Sequence, residues 1–227
     1  MPDVNNIRLG TFTRKTLKEA VDSGQIRGAI VPLGSLEQHH DHLPLLHDTL
    51  SITYIAETVA LKLYPSVVVT PTVWASDSEH HTKIGGAVSI RRPILIEYLY
   101  DIVHSLHRLG ITRVIILNGH GGNIRERLEE FEPDAMKKLI EGLHVKYLTY
   151  WFACPKSFYE EYLELERDAG HAGEFETSFA QVVFPEYIIE PAISYDNAKR
   201  ATQEKGQAII HAVLGGVCKE IRDWLKD

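Results

Sequence analysis

The sequence predicts an α/β fold in which one sheet is covered by helices on both faces. Three observations predict it. Short β-branched runs alternate with segments of helical periodicity along the chain. The runs are apolar through their centres instead of alternating, the pattern of strands buried on both sides. No internal repeat, low-complexity tract or linker interrupts them, so residues 1–227 read as a single domain.

The elements follow in order. The first strand spans residues 26–33 (I-R-G-A-I-V-P-L). A helix capped by Asp48 or Thr49 runs to about residue 63. V-V-V-T at 67–70 is a second strand, ended by Pro71. Pro93 fits the first turn of a helix that stops near Gly110. R-V-I-I-L at 113–117 is a third strand and 145–151 a fourth. Further helices are expected at 155–166, 174–183 and 197–226.

Composition narrows the function. The net charge is −7 and no Lys/Arg run stands out, so nucleic acid is excluded as a partner. The two cysteines, Cys154 and Cys218, are far apart and support neither a disulfide scaffold nor a Cys-based zinc site. The first ten residues lack the pattern of a signal peptide, and no apolar run approaches the ~18 residues of a membrane span. A soluble cytoplasmic protein without a membrane partner is expected.

In such folds chemistry gathers beyond the carboxyl ends of the strands. Strand one runs into G-S-L-E-Q-H-H-D-H, strand two into P-T-V-W-A-S-D-S-E-H-H, and strand three into N-G-H-G-G-N. Of twelve histidines, eight lie in these loops or in the later G-H-A-G: His39, His40, His42, His47, His80, His81, His120 and His171. Histidines satisfied one by one in a core would not cluster by strand end.

The residue types point to a metal. If the first strand stays extended, Glu37 and His39 project together and Gln38 turns away. A carboxylate beside an imidazole makes two ligands. Asp48 lies at a helix start, where an N-cap is the alternative role. Glycines flank His120 and let backbone approach a ligand closely; a plain turn with an exposed histidine is the alternative. In H-A-G-E-F-E-T-S, Glu174 and Glu176 are about 200° apart on a helix and cannot face one ion. Glu176 lies roughly 75° from the centre of the apolar face and Glu174 roughly 125°. Glu176 is thus the buried candidate, and Glu174 is expected to face solvent, support a ligand or meet substrate. Glu37, His39, Asp48, His120 and Glu176 are too many for one tetrahedral structural zinc and suit two divalent ions sharing a carboxylate. Zinc, manganese and iron all accept such ligands. His80 and His81 are expected to line the entrance, and His42 and His47 to pack behind the ligands.

Long motifs carry a resemblance. Gly34-Ser35-Leu36-Glu37-Gln38-His39-His40-Asp41-His42-Leu43-Pro44-Leu45-Leu46-His47-Asp48, Asn118 to Asn123, His171 to Ser178 and Ser78-Glu79-His80-His81 stand in the order and form of the creatininase family. The resemblance covers about residues 28–180. It implies a layered α/β/α sandwich with a largely parallel central sheet, two divalent metals per subunit, and a homo-oligomer, often a hexamer. It implies hydrolysis of a non-peptide C–N amide bond in a small molecule, a cyclic amide or formamide, through a water activated by two metals. By motif position Glu37, His39, Asp48 and His120 match family ligands, with Asp48 the bridge. His171 matches the histidine that protonates the opening amide. Ser78 is expected to help hold the oxyanion, and Glu174 to orient His171 or touch substrate.

Three departures matter. Creatininases proper carry a Glu two residues after the metal-binding histidine, where this chain has Gly122. Glu176 is the replacement candidate. Their Trp before His-Ala-Gly has no counterpart in residues 165–170, leaving Trp151 or Trp74 to cover the substrate. The usual Gly-Pro after Glu-Gln-His is His40-Asp41. These weigh against creatinine itself. Relatives with the His-Gly-Gly-Asn form include deformylases of flavin and deazaflavin biosynthesis and peptide-trimming enzymes of cofactor maturation. A catalytically inactive metal-binding member is the reading of another class.

Overall fold

The computed structural model describes residues 3–124 and 140–226. Among them lie helices α1 (Arg14–Asp22), α2 (His47–Lys62), α3 (Glu79–Thr82), α4 (Arg92–Arg108), α5 (Lys156–Tyr162), α6 (Glu174–Val183) and α7 (Gln203–Trp224). Strands β1 (Gly28–Leu33), β2 (Val67–Val69), β3 (Arg113–Asn118) and β4 (His144–Thr149) form one parallel sheet in the order β2-β1-β3-β4.

Successive side chains of β1 and β3 enter two different apolar layers, as the period of a strand requires. Ile30, Ile115 and Leu117 pack with Ile52 and Ile55 of α2, Phe175 and Phe179 of α6, and Ile209 and Val213 of α7. Ala29, Val31, Leu33, Val114 and Ile116 pack with Ala20 of α1 and Leu95, Leu99 and Val103 of α4. Helices on both faces leave no wet side, so the strands read as apolar runs, and the architecture is a three-layer α/β/α sandwich.

The strand order fixes where a site forms. From β1 the chain passes through α2 to β2 on one flank, while β3 pairs with the other. The order reverses there, and a crevice opens beyond the carboxyl ends of β1 and β3. The amide of Gly119, just past β3, donates to Leu33 O at 2.8 Å. A Cβ on Gly119 would stand 2.7 Å from Ile52 Cβ, so only glycine lets α2 lie this close to the strand ends.

Several boundaries differ from the sequence expectation, each for a local reason. α1 was not foreseen; Thr13 and Thr16 form a reciprocal capping box at its start. α2 begins at His47 with no side-chain cap, so Asp48 lies inside the first turn and caps nothing. β4 ends at Thr149, and residues 150–153 turn as a 3-10 segment. α5 stops at Tyr162 because the amides of Glu164 and Leu165 donate to the Glu174 carboxylate. α7 starts at Gln203, where the Thr202 hydroxyl accepts from the Lys205 amide at 3.2 Å. No described helix is long and apolar enough to cross a membrane.

Candidate metal centre

Asp48 stands at the centre of the crevice, 3% exposed on the first turn of α2. Its Oδ1 lies 3.1 Å from His39 Nε2 and its Oδ2 lies 3.0 Å from His120 Nδ1. One carboxylate thus faces two imidazoles, one brought by each of the loops after β1 and β3. Glu176 Oε2 lies 3.7 Å from His39 Nε2, and Glu37 Oε1 lies 3.2 Å from His120 Nδ1. All five side chains are buried.

The other nitrogen of each ring fixes its tautomer. His39 Nδ1 is 3.1 Å from Glu37 O, and His120 Nε2 is 3.0 Å from Asp77 O. A carbonyl only accepts, so these nitrogens carry the protons and donate. His39 Nε2 and His120 Nδ1 face Asp48, donating to it while the rings are protonated and free to ligate once those protons leave, the arrangement that metal-binding histidines adopt. Asn118 steadies the second loop, its Oδ1 accepting the His120 amide at 3.1 Å and its Nδ2 donating to His120 O at 2.9 Å.

Burial opposes charge on every group in the cluster, but near neighbours decide most of them. Burial lowers His39, yet the charge and hydrogen bond of Asp48 carry it up to about 9. Burial also opposes His120, which hydrogen bonds to Asp48 and Glu37 lift to about 10. Asp48 is desolvated but held well below the usual carboxylate range by His39 and His120. Glu37 is likewise lowered, since His120 outweighs its burial. Glu176 goes the other way: burial raises it to about 8, and His39 offsets this only in part. Burial, reinforced by the charge of His39, pushes His171 down to about 4.

The donor set fits divalent cations. Three buried carboxylates, Glu37, Asp48 and Glu176, have only histidines as ion-pair partners among the described residues. Glu37 Oε2 and His47 Nδ1 are buried without any hydrogen-bond partner, a cost that a ligand of positive charge relieves at the carboxylate. His39, His47, Asp48 and Glu176 each offer a ligand atom within 4.8 Å of one another; Glu37, His80 and His120 do the same, and so do Glu37, His81 and His171. His47, expected to pack behind the ligands, therefore stands within reach of the first group. It begins α2 one residue before Asp48, and its Nε2 is 4.0 Å from Glu176 Oε1.

Gly122 leaves no room for a carboxylate beside His120. A Cβ there would lie 2.3 Å from His120 Nε2 and 2.4 Å from Asp77 O. No side chain fits beside the ring in this backbone. Glu176, on the first turn of α6, is a carboxylate from elsewhere in the chain that does reach the cluster, its Oε2 3.7 Å from His39 Nε2.

Other expected residues are placed differently. Gln38 does not turn away. β1 ends at Leu33, the strand alternation lapses, and the Gln38 amide reaches His81 Nδ1 at 2.8 Å and His171 Nε2 at 3.1 Å. Ser78 is fully buried, with its Oγ 2.5 Å from Ser35 Oγ and 3.3 Å from His120 Nε2. It meets the ring nitrogen turned away from Asp48, so it supports His120 and does not present its hydroxyl to an oxyanion. Glu174 neither faces solvent nor contacts His171. It is wholly buried, accepts the amides of Glu164 and Leu165, and pairs with Lys205. The helical arithmetic set it off the apolar face correctly, but α7 and the segment after α5 cover that side too. His42 is buried with its Nε2 2.9 Å from Thr177 Oγ1.

The Glu174–Lys205 pair makes a stability prediction. Glu174→Ala takes one acceptor from the Lys205 ammonium, which keeps Glu164 and Arg200 O, and leaves two amides without theirs. Urea unfolding is expected to show a loss of about 1–3 kcal/mol, with metal content unchanged. A variant as stable as wild type but short of metal would return Glu174 to the site.

The centre opens into a cleft of about 470 Å³, whose walls include His80, His81, His171, Trp151 and Asp168. That is the size of a small-molecule site. Trp151 forms part of it, whereas Trp74 lies in a separate groove with Ile94 and Tyr98. Two non-glycine residues beside the site, His40 (φ 53°) and Ala172 (φ 49°), hold left-handed backbone. Such strain persists only where the surroundings impose it, and it concentrates at functional sites.

Comparison with known proteins points to one family. The family model for creatininase, described as creatinine amidohydrolase, matches residues 11–194. A 3-dehydro-scyllo-inosose hydrolase from Thermotoga maritima is 31% identical over 185 residues, covering 78% of this chain and 56% of that protein. The chain thus matches little more than half of that relative's length. The creatinine amidohydrolase of Pseudomonas putida is 26% identical, with 96% of this chain and 97% of that protein aligned. A solved manganese creatininase superposes with a TM-score of 0.85 at 23% identity, covering 97% of this chain and 99% of that one, which shows the shared fold.

Proposed function

The chain belongs to the creatininase family of metal-dependent amidohydrolases, and from that premise we propose that it hydrolyses a non-peptide C–N amide bond of a small molecule, a cyclic amide or formamide. The observation that carries the reading is Asp48, whose two oxygens face His39 and His120 from one buried position. His39, Asp48 and Glu176, with His47 alongside, would hold one divalent ion. Glu37, Asp48 and His120, with His80 nearby, would hold the second. Bound there, zinc, manganese or iron supplies a water of lowered pKa and polarises a carbonyl.

The protein's own groups prepare the site for that chemistry. Asp77 O and Glu37 O hold the two imidazoles so that His120 Nδ1 and His39 Nε2 face Asp48. Ser78 and Asn118 steady His120. His171, about one-third exposed with its Nδ1 3.8 Å from Glu37 Oε1, is held neutral beside His39, so a proton for the leaving nitrogen has first to reach it from the attacking water. Trp151 closes one wall against water. The working unit is a single domain in a cytoplasmic homo-oligomer, a hexamer by family resemblance.

The test is metal content per chain by elemental analysis of freshly purified protein, with Glu176→Ala alongside. About two divalent ions per chain, one of them lost in the variant, is the expected result. Formamides, cyclic amides and short peptides are then screened, so that deformylase and peptide-trimming activities are seen if present. Absence of metal, with none taken up from zinc, manganese or iron solutions, would sink the hydrolase. Full metal without turnover of any amide would favour the inactive metal-binding member.

A further inference from the structure

We propose that Gln38 is a positioning residue. It fixes the tautomers of His81 and His171 so that both rings turn an N–H donor toward the Glu37 side of the cleft and bind an acceptor oxygen of the substrate there. The amide nature of that substrate rests on the function proposed above; the tautomers do not.

The orientation of the Gln38 amide is settled by its backbone neighbour. Its Oε1 lies 3.0 Å from the His40 amide nitrogen, which can only donate. The left-handed turn at His40 (φ 53°) accompanies this bond. A flipped amide would set donor against donor. The NH₂ group therefore faces the rings, with His81 Nδ1 at 2.8 Å and His171 Nε2 at 3.1 Å. An amide nitrogen accepts nothing, so both ring nitrogens must accept. A neutral imidazole with one accepting nitrogen carries its proton on the other. His81 is thereby the Nε2–H tautomer and His171 the Nδ1–H tautomer.

Those two protonated nitrogens lie 3.7 and 3.8 Å from Glu37 Oε1. The distances exceed a hydrogen bond, so neither donor is spent on the carboxylate. The rings stack 4.8 Å apart at 19°, and both line the cleft. Glu37, His81 and His171 have the spacing of a cation site. A cation needs lone pairs on the facing nitrogens, and with Gln38 in place those positions hold protons. The pair instead suits a carbonyl oxygen, or the negative charge that develops on it as the amide is attacked.

The test is long-range ¹H–¹⁵N correlation spectroscopy on zinc-loaded protein carrying ¹⁵N-histidine, with resonances assigned through His81→Gln and His171→Gln. Wild type is expected to show His81 protonated on Nε2 and His171 on Nδ1. Gln38→Glu places acceptors where the donors were, and both rings should move their protons to the nitrogens facing residue 38. Gln38→Met, which has no donor, should give mixed tautomers and guards against a variant that fails to fold. On any amide that is turned over, Gln38→Glu should lower kcat on the order of a hundredfold, with KM and bound zinc little changed. The opposite tautomer in wild type, or tautomers indifferent to both substitutions, would overturn the proposal. So would a third equivalent of zinc that is lost in His171→Gln. The stated tautomers in a protein that hydrolyses no amide would leave Gln38's role standing and remove the hydrolase reading alone.

Discussion

Asp48→Asn is expected to empty the centre of most of its metal and to lower amide hydrolysis on the order of a thousandfold, about 4 kcal/mol of barrier. The asparagine keeps the shape but replaces one oxygen with a nitrogen that cannot ligate, and it removes the charge shared between His39 and His120. Both halves of the centre lose a ligand from one change. Elemental analysis measures the first effect and kcat/KM on the best amide substrate the second. Far-UV circular dichroism separates both from unfolding. Retention of both ions would remove Asp48 as the bridge.

The same variant carries a pH signature in metal-free protein. The pKa values of His39 and His120 are raised from 6.5 to about 9 and about 10, chiefly through Asp48 once burial is overcome. Groups raised on folding stabilise fully below their unfolded value and lose that contribution as pH rises through the folded one. Metal-free wild type should therefore lose stability between about pH 7 and 10, and the variant should lose much less.

Gly122→Ala is expected to weaken zinc binding by at least the roughly 10–100-fold that loss of a supporting contact costs, and to cost about 1–3 kcal/mol of stability. The added Cβ would meet both the His120 ring and the Asp77 carbonyl well inside contact distance. The carbonyl belongs to backbone and yields little, so the ring must move. Its proton then loses the acceptor that keeps Nδ1 free. Gly121→Ala is the control, since a Cβ there meets nothing within 4 Å. Competition with a chelator and urea unfolding, run on both variants, provide the comparison. Equal affinities would mean that the loop relaxes without disturbing His120.

Much of this was legible in the sequence because it rests on local periodicity. Apolar strands buried on both faces, a turn of chemistry after each strand, and the inward lean of Glu176 all follow from residue spacing. What was not legible depends on where elements end and what covers them. Alternation carried past Leu33 misdirected Gln38, because the chain leaves the strand there. A helix starting at His47, not at a capping Asp48, puts two potential ligands on one turn. The burial of Glu174 depends on α7, more than twenty residues further along, and nothing in H-A-G-E-F-E-T-S announces it. Ser78 meets His120 only because the loop after β2, anchored where Ser76 donates to Gly34 O, passes beside the loop after β3. Gly122 is the subtlest case. As a letter it is a missing glutamate, and in space it is the room a ring requires.

The segment between α5 and α6 is tied down twice. Glu174 holds the amides of Glu164 and Leu165, and Glu166 accepts the amide of Phe175 at 2.9 Å. The two carboxylates clasp each other's backbone, so the start of α6 and the wall before it form one rigid piece. Between the clasps, residues 167–170 supply Asp168, Ala169 and Gly170 to the cleft but no atom to the metal cluster. This stretch of cleft wall is thereby separate in the chain from the residues that would hold the ions. Ala169 belongs to the core and Gly170 is held left-handed against Glu166, so exposed Asp168 is the position whose change would reshape the cleft with the ion-holding residues inherited unchanged.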